Sequence, residues 1–290
     1  MKIRSNRIKD IIYYYSKELN NHFNENECKI FFQILFEHYF SLSKIDIILN
    51  PEKTISESGL LKIHFAVKDL IKHKPIQYII GKTNFLGFDL NVNSSVLIPR
   101  PETEELVQFI LEVIKDKKRN IKILDIGTGS GCIPIALKKL HTNTEISAID
   151  FSKEALEIAM INATNNKAEI KFFHADILES NDWKFFGKFD IIVSNPPYVR
   201  ESEKAMMKQN VLNFEPEEAL FVADKNPLIF YEKISEFAKS HLNRNGLLFF
   251  EINEELAKPI SELLKQKGFK EIIIRKDINM KNRMIRCNKY

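Results

Sequence analysis

Apolar residues recur at helical spacing through the first part of the chain, then give way to short apolar runs separated by glycine-bearing turns. Ile8, Ile11, Ile12 and Tyr15 form one stripe, Phe31, Ile34, Leu35 and Tyr39 a second, and Leu60, Leu61, Ile63, Val67 and Leu70 a third. Such stripes, with almost no glycine among them, predict an N-terminal helical bundle over residues 1–80 with a core of its own. Residues 83–92 alternate around Leu86-Gly87 and predict a β-hairpin, so that 81–93 serves as a linker. From Glu102 onward helix and strand patterns alternate, as a doubly wound α/β sheet over residues 94–290 requires. Segments 271–275 and 284–287 predict an antiparallel pair closing that sheet.

The apolar strand 189–194 runs directly into Asn195-Pro196-Pro197-Tyr198. Two prolines stiffen the turn and remove backbone donors. The Asn195 side-chain oxygen and the Pro196 carbonyl can then accept both hydrogens of one planar NH₂ group, while Tyr198 offers a flat face for that group to lie against. Taken alone, the tetrapeptide is equally readable as a strand-ending turn with an incidental Asn and Tyr.

Upstream, strand 121–126 leads through Asp125-Ile126-Gly127-Thr128-Gly129-Ser130-Gly131 into a helix of small and apolar residues. Glycines let backbone pass close to a ligand. A dinucleotide fingerprint reads G-x-G-x-x-G, whereas this turn reads Asp-x-Gly-x-Gly-x-Gly with an acid inside the strand. Asp125 would repel a pyrophosphate but not a ligand bearing an ammonium and a sulfonium, so the pattern favours S-adenosylmethionine over NAD. The next strand ends in Asp150, where ribose hydroxyls sit in such crevices, and the one after in Asp176-Ile177, which can meet an adenine amino group and cover its ring. Either Asp taken alone reads better as a helix cap or a loop residue. In chain order with the Asn-Pro-Pro-Tyr strand, they place one ligand site outside the carboxyl ends of the sheet.

On these residues the chain resembles class I S-adenosylmethionine-dependent methyltransferases, and more narrowly the release-factor glutamine methyltransferases (the HemK/PrmC family). The narrower resemblance rests on Pro75-Ile76-Gln77-Tyr78-Ile79-Ile80-Gly81, on Phe85, on Leu97-Ile98-Pro99-Arg100-Pro101-Glu102-Thr103-Glu104-Glu105-Leu106-Val107, and on Phe214-Glu215-Pro216 with Ala219-Leu220. It runs from about residue 27 to the C-terminus. Two positions depart from the family pattern: Asn253 stands where glycine is usual, and the stretch from Asp277 to Arg283 lacks its glycine. Because Asn adopts left-handed backbone readily, both departures are tolerable in turns.

The resemblance implies a Rossmann-like methyltransferase sheet behind a helical substrate-recognition domain. Its target is the glutamine of the Gly-Gly-Gln tip of class I peptide chain release factors, methylated at the side-chain nitrogen. Asn195, Pro196, Pro197 and Tyr198 would be catalytic. Asp125, Gly127, Thr128, Gly129, Ser130, Gly131, Asp150, Asp176, Ile177 and Asn195 would hold S-adenosylmethionine, with no metal. An adenine presents a similar NH₂ group, so a nucleic-acid adenine methyltransferase is the chief alternative. A ribosomal-protein glutamine methyltransferase and a non-catalytic cofactor-binding scaffold are the others. Arg100 and Thr103 are expected near the site without an assigned role, and Trp183 as a packing residue or an edge contact to adenine.

Composition narrows this only a little. A net charge of +4 over 290 residues lacks the dense basic stripe of a strong nucleic-acid binder. The basic run 115–119 reads as a solvated loop. Cys28, Cys132 and Cys287 have neither disulfide nor metal spacing, which fits a reducing compartment. No apolar stretch resembles a signal peptide or a membrane span. A cytoplasmic protein is expected, a monomer by default, with no membrane or DNA partner.

Overall fold

The computed structural model describes residues 5–117 and 119–289. Residues 1–4 of the N-terminus and Lys118 of the basic run lie outside the described residues. The chain divides into two units. One is the segment up to Gly81 together with Gln209–Phe214; the other comprises Lys82–Lys208 and the chain from Glu215 onward.

The first unit contains α1 (Ile8–Leu19), α2 (Glu25–Phe40), α3 (Lys44–Leu49), α4 (Glu57–Ile71) and α5 (Ile76–Ile80). Local chemistry fixes where these helices begin. Asn24 and Ser43 form capping boxes with Glu27 and Asp46, and the Ser56 hydroxyl accepts from the Gly59 amide. Each satisfies amides that an open helix start would leave without partners. In α1, Ile8, Ile11 and Tyr15 of the predicted stripe are buried, Ile12 is only partly covered, and Leu19 completes the inward face. In α2 the buried face is Cys28, Phe32, Leu35 and Phe36, whereas Phe31, Ile34 and Tyr39 are only partly covered. Apolar residues extend around most of that helix, so spacing alone permits a stripe displaced by one residue, and packing against α1 and α4 selects it. Leu61, expected in the third stripe, is exposed; Ala66 takes the inward place.

The second unit opens with the hairpin β1 (Lys82–Phe85) and β2 (Phe88–Asn91), followed by α6 (Pro101–Ile114). Leu86 and Gly87 both have positive φ, which gives the tight turn the twist its strands need. Then come β3 (Ile121–Ile126), α7 (Cys132–Leu140), β4 (Thr144–Asp150), α8 (Lys153–Asn165), β5 (Ile170–His174) and β6 (Phe189–Ser194). After the short β7 (Val199–Arg200), α9 (Gln209–Phe214, which belongs to the first unit) and β8 (Phe221–Val222), the chain continues through α10 (Ile229–His241), β9 (Leu242–Glu251) and α11 (Ala257–Gln266). It ends with β10 (Lys270–Lys276) and β11 (Asn282–Asn288).

The main sheet has seven strands in the order β10-β11-β9-β6-β3-β4-β5. Strands β9 to β5 are parallel, and β11 and β10 close the edge antiparallel. This is the mixed α/β architecture expected from the alternating pattern. All of β6 is buried, as a central parallel strand covered on both faces must be. Its Phe189 and Ile192 join one core with Leu248 and Phe250, while Ile191 and Val193 join another with Phe249. From Ile191 to Val193 the alternation marks the two faces of the sheet, and Phe189 falls out of it beyond a register shift between Phe189 and Ile191.

A buried amide ties the hairpin to the sheet. The Asn162 side chain on α8 is fully buried; its Oδ1 accepts from the Asn91 amide at 2.6 Å and from Asn91 Nδ2 at 3.0 Å. Its Nδ2 donates to the carbonyls of Asn91 at 3.0 Å and Ser130 at 2.9 Å. One side chain thus fixes the end of β2 and the glycine turn together.

Asn253 does not adopt the left-handed backbone expected of it. Its φ is −66°, and its side chain caps the short helical turn Glu254–Leu256 by accepting from the Glu255 amide at 3.0 Å. A cap requires extended backbone, so what the position gains is an acceptor rather than conformational freedom. In the later turn, Met280 holds the positive-φ position.

Asn162→Ala should destabilise the protein by about 2–4 kcal/mol, because buried donors and acceptors on two separate segments lose their partners. Urea unfolding measures this, and a cost under about 1 kcal/mol would mean that Asn162 does not act as the tie.

Candidate functional site

Chain order reverses at β3, with β4 and β5 on one side and β6 and β9 on the other. Parallel sheets open a crevice at such a point, outside the carboxyl ends of the strands. A cavity of about 340 Å³ occupies it, within the usual range for small-molecule sites. Gly127, Thr128, Gly129 and Ser130 line it from the turn after β3, Asp150 from the end of β4, and Asp176 and Ile177 from beyond β5. Asn195, Pro196 and Pro197 line it from the turn after β6. A second cavity of about 50 Å³ shares Leu97, Asn195, Pro196 and Ala219 with the first and adds Arg100, Tyr198 and Glu251. Asn195 and Pro196 therefore form part of the wall between a large chamber and a small one.

The sequence-predicted residues occupy different layers of this site. Gly127, Gly129 and Gly131 have φ values of 73°, 54° and 80°, which other residues rarely adopt. Gly127 and Gly129 face the large cavity. Gly131 sits behind it, where a Cβ would come within 3.2 Å of the Ala159 Cβ, so its role is to let α8 approach the turn. Asp125 also lies behind the wall rather than on it, since the C-terminal end of β3 carries its carboxyl into the interior. Tyr198 borders only the smaller cavity.

Asp150 does two structural tasks at the rim. Its Oδ2 accepts from the Gly129 amide at 2.8 Å and its Oδ1 from the Ser152 amide at 3.0 Å, which pins the glycine turn. The cap of α8 is Ser152, not Asp150. Burial raises the Asp150 pKa, and the backbone donors oppose that rise. Asp176 Oδ1 accepts from the Leu178 amide at 2.8 Å. Trp183 donates from Nε1 to the Ile177 carbonyl at 3.1 Å and packs edge-on against Phe237, outside the cavity lining.

Around the glycine turn, both oxygens of Asp125 and the hydroxyls of Thr128 and Ser130 are buried with no hydrogen-bond partner. Buried polar atoms normally have partners, and beyond the neighbouring Thr128 hydroxyl, which acts to lower the Asp125 pKa, this group keeps hydrogen-bonding capacity to spare. Among the described residues no cluster of His, Cys, Asp or Glu is suited to a metal ion.

Sequence reasoning missed the support behind Asn195. Its Nδ2 donates to the Thr103 hydroxyl at 3.2 Å, which donates in turn to Glu251 Oε2 at 2.7 Å. Tyr198 donates to Glu251 Oε1 at 3.0 Å, and Tyr231 donates to the Glu251 backbone carbonyl at 3.2 Å. Glu251 is wholly buried, and burial raises its pKa against the pull of these donors and of Arg283. A signal for it was present: Glu251 is one more acid at the end of a buried parallel strand, like Asp150. On the other side of the small cavity, the Arg100 guanidinium pairs with buried Glu215, which also accepts from the Ile98 amide at 3.2 Å. Thus the segments Leu97–Thr103 and Glu215–Leu220, distant in sequence, meet at this site.

Burial pushes the Asp125 carboxyl from its ordinary 3.8 up to about 7; Thr128 opposes the rise and the charge of Asp150 adds to it. Between those values the unfolded chain has released this proton while the folded chain keeps it, so stability falls as pH rises through the window. From pH 5 to pH 7 the loss from this group is about 2–3 kcal/mol. Asp125→Asn should remove that part of the slope in urea unfolding measured at both pH values. Parallel slopes for the variant and the parent would show that Asp125 is already ionised in the folded protein.

Comparison with known proteins follows the same division of the chain. Residues 11–81 match the family described as PrmC N-terminal domain, and residues 103–218 match the Methyltransferase small domain family. The release factor glutamine methyltransferase of Flavobacterium psychrophilum is 47% identical over 92% of this chain and 93% of its own length. That of Bacteroides thetaiotaomicron is 37% identical over 95% of this chain and 98% of its own. Among solved structures, a methyltransferase from Pyrococcus furiosus superposes with a TM-score of 0.51 at 18% identity, covering 81% of this chain and 99% of its own, a likeness of fold. With identity at this level sustained across both units, the chain belongs to the release factor glutamine methyltransferase family.

Proposed function

We propose that this protein transfers a methyl group from S-adenosylmethionine to the side-chain nitrogen of the glutamine in the Gly-Gly-Gln motif of class I peptide chain release factors. The observation that carries the reading is the pair of cavities sharing Asn195 and Pro196. One is large enough for a nucleoside-sized donor. The other, at about 50 Å³, admits about four water-sized groups. That space suits a planar NH₂ group, and membership of the release factor glutamine methyltransferase family favours glutamine over a nucleobase as its bearer.

The residues of the large cavity fit a cationic donor. Ionised Asp125 and the unpartnered hydroxyls of Thr128 and Ser130 would satisfy an ammonium and its neighbours across the glycine turn, directly or through water. Asp150 retains lone pairs for ribose hydroxyls, and Asp176 with Ile177 would bound the adenine. When bound, S-adenosylmethionine supplies an electrophilic methyl on a sulfonium.

The chain's own task is to make a poor nucleophile act. Resonance with the carbonyl delocalises the lone pair of an amide nitrogen. Acceptors at Asn195 and Pro196 that hold both N–H hydrogens raise electron density on that nitrogen. They are stabilised most when positive charge reaches it in the transition state. The sulfur–methyl bond breaks as the nitrogen–methyl bond forms, and the nitrogen then releases one proton. Fixed alignment of the two reactants accounts for most of the rate.

The helical unit is proposed to recognise the release factor, because a lone glutamine side chain offers little to select upon. Translation termination takes place in the cytoplasm, which is the location this substrate implies. Among the described residues no helix is long and apolar enough to cross a membrane.

Incubation with S-adenosylmethionine and a class I release factor should add one methyl to the Gly-Gly-Gln peptide, read by mass spectrometry. Duplex DNA and ribosomal proteins treated in parallel should stay unmodified. A methyl found only on those substrates would overturn the reading. Asn195→Ala should lower kcat by about 10²–10³ while donor binding, measured by calorimetry, changes little. Near-normal turnover in that variant would remove Asn195 from the mechanism.

A further inference from the structure

The hydrogen-bond chain behind Asn195 has only one consistent arrangement of protons when Glu251 is ionised. An ionised carboxylate only accepts, and the Glu251 oxygens take one hydrogen from Thr103 at 2.7 Å and one from Tyr198 at 3.0 Å. The single hydroxyl hydrogen of Thr103 is therefore spent on Glu251. Only lone pairs of Thr103 remain for Asn195, 3.2 Å away. Of the two ends of the Asn195 carboxamide, NH₂ alone makes a bond there, and Oδ1 must turn the other way. The hydrogen of the Tyr198 hydroxyl is spent in the same manner, so that group too has only lone pairs left to offer.

The anchorage of Glu251 supports this arrangement. Its backbone carbonyl accepts from Tyr231, and although burial raises its pKa, the Thr103 and Tyr198 hydroxyls, one on each oxygen, and Arg283 act in favour of the charged form. Arg283 is itself held by Asp277 at 3.2 Å and by the Ile252 carbonyl at 3.1 Å. Thr103 stands in the first turn of α6, and Glu251 ends β9, so both ride on regular elements rather than on loops.

We infer that Thr103 and Glu251 are positioning residues that lock the Asn195 carboxamide with its oxygen toward the acceptor nitrogen, and so give the small cavity its preference for a substrate NH₂ group. The inference rests on the proposed glutamine reaction for its substrate, but not for the proton arrangement itself. With Asn195 reversed, NH₂ would meet NH₂ and both groups would lose their partners. A substrate carboxylate would meet lone pairs and be turned away from these acceptors.

Thr103→Val keeps the shape of the side chain and removes the hydroxyl, whereas Thr103→Ser keeps the hydroxyl. In the full-length protein, assayed well below the melting transition that loss of the Glu251 hydrogen bond lowers, Thr103→Val should reduce kcat toward a release factor by about tenfold or more with donor affinity nearly unchanged. Thr103→Ser should restore turnover to within about threefold of the parent. Turnover of Thr103→Val within about twofold of the parent, or Thr103→Ser as slow as Thr103→Val, would falsify the inference. A second readout needs no substrate. The side-chain NH₂ protons of Asn195, assigned by ¹⁵N NMR from their loss in Asn195→Asp, should exchange with water at least about tenfold more slowly in the parent than in Thr103→Val. If the parent transfers nothing to a release factor, the substrate reading fails while this comparison still decides the positioning claim. Equal exchange in the two proteins would overturn it.

Discussion

Ser194 pairs with Ile126 across the centre of the sheet, and its hydroxyl donates to the Ile126 carbonyl at 2.7 Å, so β3 and β6 end at the same height. The glycine turn begins at the next residue on one strand and Asn195 at the next residue on the other. Because the strands are parallel, both turns leave the sheet on the same side. A one-residue slip in this register would invert the side chains that follow the irregularity at the start of β6, exchanging Ile191 and Val193 in one core with Ile192 in the other. Burial of both faces thus fixes the register, and the register fixes how the glycine turn and the Asn195 turn meet.

The site built on that edge buries acids to an unusual extent. Asp125, Asp150 and Glu251 are all nearly or wholly removed from solvent, and burial raises the pKa of each. Their partners differ, and so do their uses. Backbone amides hold both oxygens of Asp150, which makes it a clasp for the glycine turn. Glu251 collects side-chain donors and orders the acceptor side. Asp125 has only the neighbouring Thr128 hydroxyl to set against its burial. The same residue type at successive strand ends therefore does different work, decided by which donors the neighbouring segments bring.

Polar ties, rather than apolar packing alone, connect the segments that surround the cavities. Asn162 joins the hairpin to the glycine turn, and the Arg100–Glu215 pair joins the start of α6 to the segment before β8. Each replaces water at a buried backbone or charged group, so the loops that line the site are held by directional bonds. This is the kind of support that alignment of two reactants requires, since a displacement of about 1 Å there can cost about 10²-fold in rate.

Local periodicity and turn chemistry were enough to reveal the alternating sheet, the hairpin at Leu86-Gly87, the antiparallel closing strands and some of the residues that line the larger cavity, among them Gly127, Gly129, Asp150 and Asn195. These features depend on near neighbours along the chain, where a glycine, a proline pair or an apolar alternation acts over a few residues. The sequence did not reveal which face of α2 is buried, because that helix is apolar around most of its surface and its partners choose the stripe. Nor did it show that Asp125, Gly131 and Tyr198 stand in different layers from the residues beside them. The clasp of Glu251, Thr103 and Asn195 was hidden for the same reason: it joins residues 148 and 92 positions apart. A hydrogen bond is set by distance and direction in space, and only the folded sheet brings those donors and acceptors within 3 Å or so of one another.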